Sequence, residues 1–549
     1  MKWTTWIVGA MWVPTMACQG FIAEPSGHAD SDGGVRRPGE PPPDPDAQPG
    51  ARQARLLSAR EYGNTVRDLL GVEVSPDLHF GDTSTGFDNA NGTPLDENLL
   101  SRLWVSAEEA ARTYVRETMP TEFPCIATLD DACVDTVLRD LGRRAFRKPL
   151  DTTERAAFAD FARRMRADAD DPRHAAELLV TRLLLSPRFL YRTEVGVRAG
   201  DVAVLDPFER ASLLSYTLTA SMPDEALLAD AEADRLDEAT VRGHVARLLD
   251  TDAGRLQLFE LFKQWLRAGE LDRMASEPEA FAKLTSPELG VALRDELATF
   301  VERVVLEEEA TLADVLTRRS VPVDRHTAPL YGLEAEGEAP EDRTIPSHRP
   351  GGVLSLASVL AVHASRVDVD RENPIHRGLL VRNQLFCEPI ALPSGLDLQD
   401  AVDAVGQPDD WETLPQRDRL EHVMQQGEAC QGCHATFMPF GYLWSHFDGL
   451  GQYRTEHHGH PLDSSVDAVL VDGEVRAYAD ANELLPDLAR SEGVASCFRR
   501  QLARFVSGGV EGALVDHAAT ARSRTGLPIV QQLEDMLAHE TLYVREVAR

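Results

Sequence analysis

Ala429-Cys430-Gln431-Gly432-Cys433-His434 decides how this chain is read. The spacing Cys-x-x-Cys-His is that of covalent c-type haem attachment. Two thiols three residues apart lie on one helical turn, where each can add to a vinyl group of the same porphyrin. His434, next to the second thiol, is then placed to ligate iron from one side. The chain has 549 residues with only 7 Cys and 16 His, so chance seldom builds this pattern. A zinc site is a poorer reading, because zinc needs a fourth ligand and rarely takes three from Cys-x-x-Cys-His. A thioredoxin-like pair is poorer still, because no strand-helix-strand pattern surrounds the motif.

The flanks supply candidates for the second iron ligand. Met438 follows His434 by four residues, so on a helix both share a face and Met438 reads as a packing side chain. His422, on the helix expected over 414–426, is the distal candidate. His457, His458 and His460 fall in a Gly-, His- and Asp-rich stretch expected to be a flexible polar segment. Met536 lies far downstream. With the sixth position open, peroxide or oxygen chemistry would follow instead of simple electron transfer.

The other cysteines point to the compartment. Cys18 closes an apolar leader: Lys2 precedes Trp3 through Met16, and Ala17 gives the small residue that lipoprotein processing prefers. Residues 1–18 therefore read as a lipoprotein-type signal peptide with Cys18 as the lipidation site, simple secretion being the alternative. Residues 19–52, as in Pro38-Gly39-Glu40-Pro41-Pro42-Pro43, cannot bury a core and read as a disordered tether. Cys125, Cys133, Cys387 and Cys497 are candidates for two disulfides in an oxidising compartment, with buried free thiols as the alternative. The expected location is the periplasmic face of the outer membrane or the cell surface, with membrane association through a lipid anchor only.

Charge narrows the partners. Lys and Arg total 56 against 90 Asp and Glu, a net charge of −34. Such a surface opposes nucleic acid and anionic lipid and suits docking with a basic redox partner, whose identity the sequence does not give.

Along the rest of the chain, apolar residues recur at helical spacing. Helices are expected near 56–70, 99–117, 134–146, 152–166, 173–185, 208–219, 240–251, 256–268, 292–309, 352–362, 375–385, 414–426, 495–506 and 527–537. Asp151 or Thr152 is expected to cap one of them and Asp224 to start another. No sustained period-2 run is evident, so the expected fold is all-α. It divides into several consecutive helical domains, at 53–120, 121–197, 198–340 and 471–549, with a cytochrome-c-like haem domain at 341–470. Two local features have competing readings. The polar loop 81–98 is a plain Asx-turn loop or a calcium loop. The basic run Arg143 to Lys148 pairs with acidic neighbours or holds a phosphate or haem propionate.

Several stretches together resemble a known family. They are Glu61-Tyr62-Gly63-Asn64-Thr65-Val66-Arg67-Asp68-Leu69-Leu70-Gly71, Gly86-Phe87-Asp88-Asn89, Arg144-Ala145-Phe146-Arg147-Lys148-Pro149-Leu150 and Ser186-Pro187-Arg188-Phe189-Leu190-Tyr191-Arg192. Leu214-Ser215-Tyr216, Met222-Pro223-Asp224, Gln264-Trp265-Leu266, Pro374-Ile375-His376-Arg377-Gly378 and the block Cys430 to Arg454 continue the series. The family comprises multi-domain secreted proteins of planctomycetes and myxobacteria, catalogued as domains of unknown function, with a cytochrome-c-like motif. The resemblance spans about residues 53–549 in five blocks. Three departures are visible. The family's Asp-Pro-Leu-Gly stands here as Met438-Pro439-Phe440-Gly441, its Gly-x-Pro-Ile-Asp as Gly459-His460-Pro461-Leu462-Asp463, and a helix ending in Gly-Arg ends in Gly508-Gly509.

The expected function is that of an exported protein with one covalent haem c, acting in electron transfer outside the inner membrane. About 380 residues precede the haem region, whereas a bare carrier needs only about 80–120. A substrate-oxidising or peroxidase-like enzyme with an open haem site is therefore a second reading, and the enzyme would be a haem-dependent oxidoreductase. Neither a dinucleotide fingerprint, a nucleophile elbow, His-Glu-x-x-His nor a P-loop marks a catalytic centre. The third reading is a surface adhesion protein with structural haem and a polymer as its substrate.

Overall fold

The computed structural model describes residues 53–74, 86–90, 95–169, 171–366, 368–390, 408–425, 428–508 and 526–547. The leader, Cys18, the tether and residues 81–85 and 91–94 of the loop 81–98 lie outside them. The described residues are mostly helical, and none of their helices is long and apolar enough to cross a membrane.

Local chemistry sets the helix boundaries. Ala59–Leu70 begins at Ser58, whose hydroxyl accepts from the Glu61 amide while the Glu61 carboxylate accepts from the Ser58 amide. It ends at Gly71, whose φ of 68° an L-residue rarely adopts. Asp151 and Glu154 form the same reciprocal cap on Thr152–Asp168, and Asp224 caps Glu225–Glu232. Glu97–Glu117 buries Leu99, Leu103, Ala107, Ala110 and Tyr114, one stripe at helical spacing, and packs against Pro172–Leu184. Three helices widen into π-helical turns, at Leu138–Gly142, Val301–Glu307 and Val381–Leu385. In each, an inserted residue shifts the apolar stripe part-way round the axis.

The all-α expectation needs one correction: among the described residues there are also five small antiparallel sheets. Gln53–Leu56 pairs with Tyr191–Glu194, and Ser320–Val323 with Glu341–Thr344. Val202–Val204 pairs on one side with Val197–Ala199 and on the other with Val544–Glu546. Glu456–His457 pairs with His460–Pro461, and Val466–Val471 with Glu474–Tyr478. The last hairpin turns at Asp472-Gly473, both with positive φ (49° and 80°), the backbone that fits the right-handed twist of paired strands. These strands are too short to show alternation; the Asp-Gly pair was the signal.

Two hydrophobic clusters organise the chain. The smaller joins residues from Leu56 to Leu190 with Tyr216. The larger gathers Phe87 and residues from Leu205 to Tyr543, and includes Trp265, Leu380, Phe437, Met438, Trp444 and Phe498. The segment after the haem motif is therefore packed into the same core as the helices of the middle of the chain. A buried ion network ties the two ends together. Glu194, 2% exposed, accepts from Arg55 and from Arg545 (2.6 Å), with Arg192 beside it at 3.7 Å. Burial pushes its carboxyl up, but the guanidinium groups of Arg55, Arg545 and Arg192 outweigh burial and hold it well below the usual carboxylate range.

Two disulfides are formed, Cys125 with Cys133 and Cys387 with Cys497. The second joins the end of the π-turn at 381–385 to helix Glu492–Ser507, where Trp265 meets Phe498 edge to face with ring centroids 4.9 Å apart.

Candidate functional site

The motif occupies the helix Glu428–His434. Ala435, Thr436 and Phe437 close it with amides bonded to the carbonyls of Gln431, Cys433 and His434, and Met438–Tyr442 starts a second short helix. The side chain of Cys430 lies outside the described residues. Cys433 is half-buried against the larger core, and His434 is half-buried with its ring 5.0 Å from that of Phe437. Burial holds the His434 imidazole below its ordinary pKa. Its Nδ1 lies 2.9 Å from the sulfur of Met438. Met438 is 3% exposed and packed, as its spacing from His434 implied.

The segment that follows is locked by backbone contact. Helix Pro374–Leu380 crosses Met438–Tyr442 at two glycines. A Cβ on Gly441 would stand 1.9 Å from the Pro374 carbonyl oxygen, and one on Gly378 2.2 Å from that of Phe437. No porphyrin fits between these two helices. Arg377, buried on the same helix, donates to the carbonyls of Trp444 (3.0 Å), Phe447 (2.8 Å) and Asp448 (2.8 Å). Burial lowers its guanidinium to about 10. Arg349 donates to the Gly451 carbonyl (2.7 Å) and lies over the rings of Tyr331 and Phe447. Arg382 donates to the Thr436 carbonyl at 3.2 Å.

Beside the crossing lies a cavity with room for about one water, lined by Leu360, His363, Arg377, Leu380 and Trp444. Lys283 is buried nearby and donates to the Ala361 carbonyl. Burial, with Arg377 close by, lowers its amine to about 7. A cavity of this size admits no organic substrate.

The other candidates fall in different places. His422 is half-buried on helix Gln416–Gln425, its ring 5.9 Å from that of Trp411. That helix is docked through Arg417, which donates to the carbonyls of Asp463 and Ser465 and lies over the Tyr442 ring. The segment holding His457, His458 and His460 is not the flexible stretch expected. His457 is 7% exposed, receives a hydrogen bond from Arg454 (3.0 Å) and pairs across a strand with His460. Burial and the Arg454 charge lower its imidazole to about 4. Two-strand pairing and the Arg454–Glu372 ion pair (2.6 Å) remove the freedom that its composition suggested. Met536 is buried in the larger core. Among the described residues, no group of three or more His, Cys, Asp or Glu side chains is arranged to hold a metal ion.

The basic run divides by residue. Arg143 pairs with Glu225 and Glu232, and Lys148 with Asp206. Arg147 instead is buried and donates to the carbonyls of Arg188, Phe189 and Tyr191 and to the Tyr216 hydroxyl. Asp88, from the polar loop, pairs with Arg60 at 2.9 Å. Sequence reasoning missed the hydrogen bond between His434 and Met438, although their spacing of four carried it. It also missed the use of Arg377 and Gly378, which stood in plain view in one of the quoted motifs.

Four family models match, in chain order: PSD3 (protein of unknown function DUF1587) at residues 55–116, PSD5 (DUF1595) at 133–194, PSD4 (DUF1592) at 205–333 and PSCyt3 (DUF1588) at 350–457. The chain belongs to this multi-domain family of planctomycete cytochrome-c-like domains of unknown function. The PSCyt3 stretch of the family holds the crossing helices, Arg377 and the Cys-x-x-Cys-His motif; the PSD4 stretch supplies Trp265 and Lys283. No curated protein and no solved structure matches the chain.

Proposed function

We propose that this family member is an exported protein that carries one covalent haem c on Cys430 and Cys433, with His434 on the iron, and transfers electrons outside the inner membrane. The observation that carries this reading is the placement of His434. The motif helix ends on this imidazole, half-buried beside Phe437 and next in sequence to Cys433. The name of the PSCyt3 family, matched across the motif, agrees with it. Haem, when bound, supplies a one-electron redox centre. The chain's own residues hold the attachment helix against the core through Phe437, Met438 and the Gly378–Gly441 crossing.

The same reading places the chain as a lipoprotein anchored by Cys18, with the region from 341 to 470 as the haem-bearing unit. The helical regions before it serve as scaffold or as the substrate-binding part of a redox enzyme. That second role is favoured by the shared core, because Trp265, from the region before, donates to the Gln384 carbonyl inside this unit.

A pyridine haemochrome spectrum decides the central claim. Full-length chain exported into a periplasm with haem-attachment machinery should show covalent haem c, one per chain, lost in Cys430→Ala with Cys433→Ala. Absence of haem in the unaltered chain would overturn the reading. A high-spin ferric spectrum would select the enzyme over the carrier.

A further inference from the structure

We propose that the outer face of the hairpin formed by Val466–Val471 and Glu474–Tyr478 is a docking surface for a protein whose contact face is a small apolar patch ringed by lysine or arginine. The proposal stands without the haem reading. The hairpin also lies beyond the last matched family stretch, which ends at residue 457.

The first observation is an apolar strand that is covered on one side only. Ala468-Val469-Leu470-Val471 holds no polar residue, the composition of a strand buried on both faces. Val466, Val469 and Val471 turn inward and are buried, with helix Met438–Tyr442 packed against their strand and helix Ala481–Arg490 against the other. Leu470 and Val475 are direct cross-strand partners, turn outward, and are 51% and 68% exposed. Ala468 and Ala477 beside them are exposed too. A hairpin with one packed face ordinarily turns polar side chains to water; this one turns aliphatic side chains.

The second observation is the charge around those side chains. Asp467, Asp472 and Glu474 are exposed on the same hairpin. Arg476, the basic side chain of the two strands, is already paired with Glu474 and with Asp487, each at 2.7 Å. Asp472 accepts from the Ser491 hydroxyl and the Gly493 amide, both neutral donors. Asp467 has no basic partner among the described residues. An aliphatic centre among unneutralised carboxylates is complementary to an aliphatic centre among cations. The same carboxylates repel a second copy of the chain, which would bring the same charges, and they repel anionic lipid. The net charge of −34 extends that preference for a basic partner to longer range.

The face, not the edge, is the contact. The register shifts between Arg476 and Tyr478, a bulge that twists the hairpin and opposes flat edge-to-edge pairing. A partner seated on Leu470 and Val475 lies one strand's thickness from helix Met438–Tyr442, the helix that follows the Cys-x-x-Cys-His motif.

The test uses the full-length chain and a probe of the stated chemistry: a fluorescent, head-to-tail cyclised hairpin peptide with valines on one face and lysines around them. Two analogues replace its valines by serine or its lysines by glutamate. Anisotropy titrations should show binding of the valine–lysine peptide alone, weakening as salt rises to about 0.2 M. Leu470→Ser with Val475→Thr should weaken binding at least about tenfold, because the aliphatic contact is removed. Both side chains are exposed, so the melting temperature of this variant should match that of the unaltered chain. Asp467→Asn with Glu474→Gln should remove most of the salt dependence and leave a weaker contact. Failure of the valine–lysine peptide to bind, equal binding of all three peptides, or binding that Leu470→Ser with Val475→Thr leaves unmoved overturns the proposal. So does dimerisation of the unaltered chain that this variant abolishes, which would make a second copy the occupant. Flotation of the unaltered chain but not the variant with zwitterionic phosphatidylcholine vesicles overturns it as well, in favour of a lipid surface. None of these outcomes depends on haem content, so the docking surface and the haem reading fail separately.

Discussion

Removing the Cys387–Cys497 bond should weaken the larger core far more than removing Cys125–Cys133 weakens the smaller one. The bonds close loops of very different size, with separations of 110 and 8 residues. On the chain-entropy account, the long loop stabilises by about 4.8 kcal/mol at room temperature and the short one by about 2.5 kcal/mol. A correction applies at Cys387, whose φ is 54°. Freed from its partner, that residue can leave the left-handed region and recover about 1 kcal/mol, so the net loss is about 4 kcal/mol. Guanidinium denaturation followed by tryptophan fluorescence reads the difference. Trp265 and Trp444 are buried in the larger cluster, and Trp265 stacks on Phe498, the neighbour of Cys497. The variant Cys387→Ala with Cys497→Ala should move the fluorescence transition strongly, and Cys125→Ala with Cys133→Ala should leave it nearly in place. Equal shifts, or a larger shift from the short loop, would refute the claim that the long bond clamps the core around the motif.

Lys283→Met should change how stability depends on pH. The buried amine titrates at about 7 when folded against 10.5 when unfolded, so between those values the unfolded chain binds more protons and stability rises with pH, by about 1.4 kcal/mol per unit. The variant should lose that slope and be the more stable form below pH 7; parallel profiles from pH 7 to 10 would contradict the burial argument. Glu194 has the same sign in a lower window: its folded carboxyl is held low, so stability again rises with pH, and its contribution is full above the ordinary Glu value and fades as pH falls below it. Glu194→Gln leaves the buried Arg55 and Arg545 without their carboxylate, while Arg192 keeps Glu61, and should cost about 3–5 kcal/mol at pH 7, measured by urea titration. Gly441→Ala drives a methyl into the Pro374 carbonyl and should cost about 3 kcal/mol. Gly432→Ala has open space and should be neutral or stabilising by up to about 1 kcal/mol, thermal melts of the two glycine variants giving the comparison.

Helices were the legible part of this chain, because their caps and their spacing are local. Ser58 with Glu61, Asp151 with Glu154, and Asp224 are read directly from neighbouring letters. The strands were not legible. The 456–478 region owes its order to pairing between short segments, and the only local sign was Asp472-Gly473. His457 shows the consequence: its polar surroundings implied freedom, and cross-strand pairing with His460 together with the hydrogen bond from Arg454 denied it. The basic run was half legible, since charge pairing can be guessed from composition but the burial of Arg147 among carbonyls cannot.

By itself the sequence determined the Cys-x-x-Cys-His motif, the mostly helical fold and the family, because each rests on residues adjacent in the chain or repeated at fixed spacing. It also placed Met438 on the face of His434. Only the tertiary structure decided that the sulfur of Met438 meets Nδ1, that Gly378 and Gly441 bring two helices to backbone contact, and that Cys387 is joined to Cys497. Those facts depend on close approach between segments tens to more than a hundred residues apart, or on the rotamer of one buried side chain. Both are set by how the whole core packs.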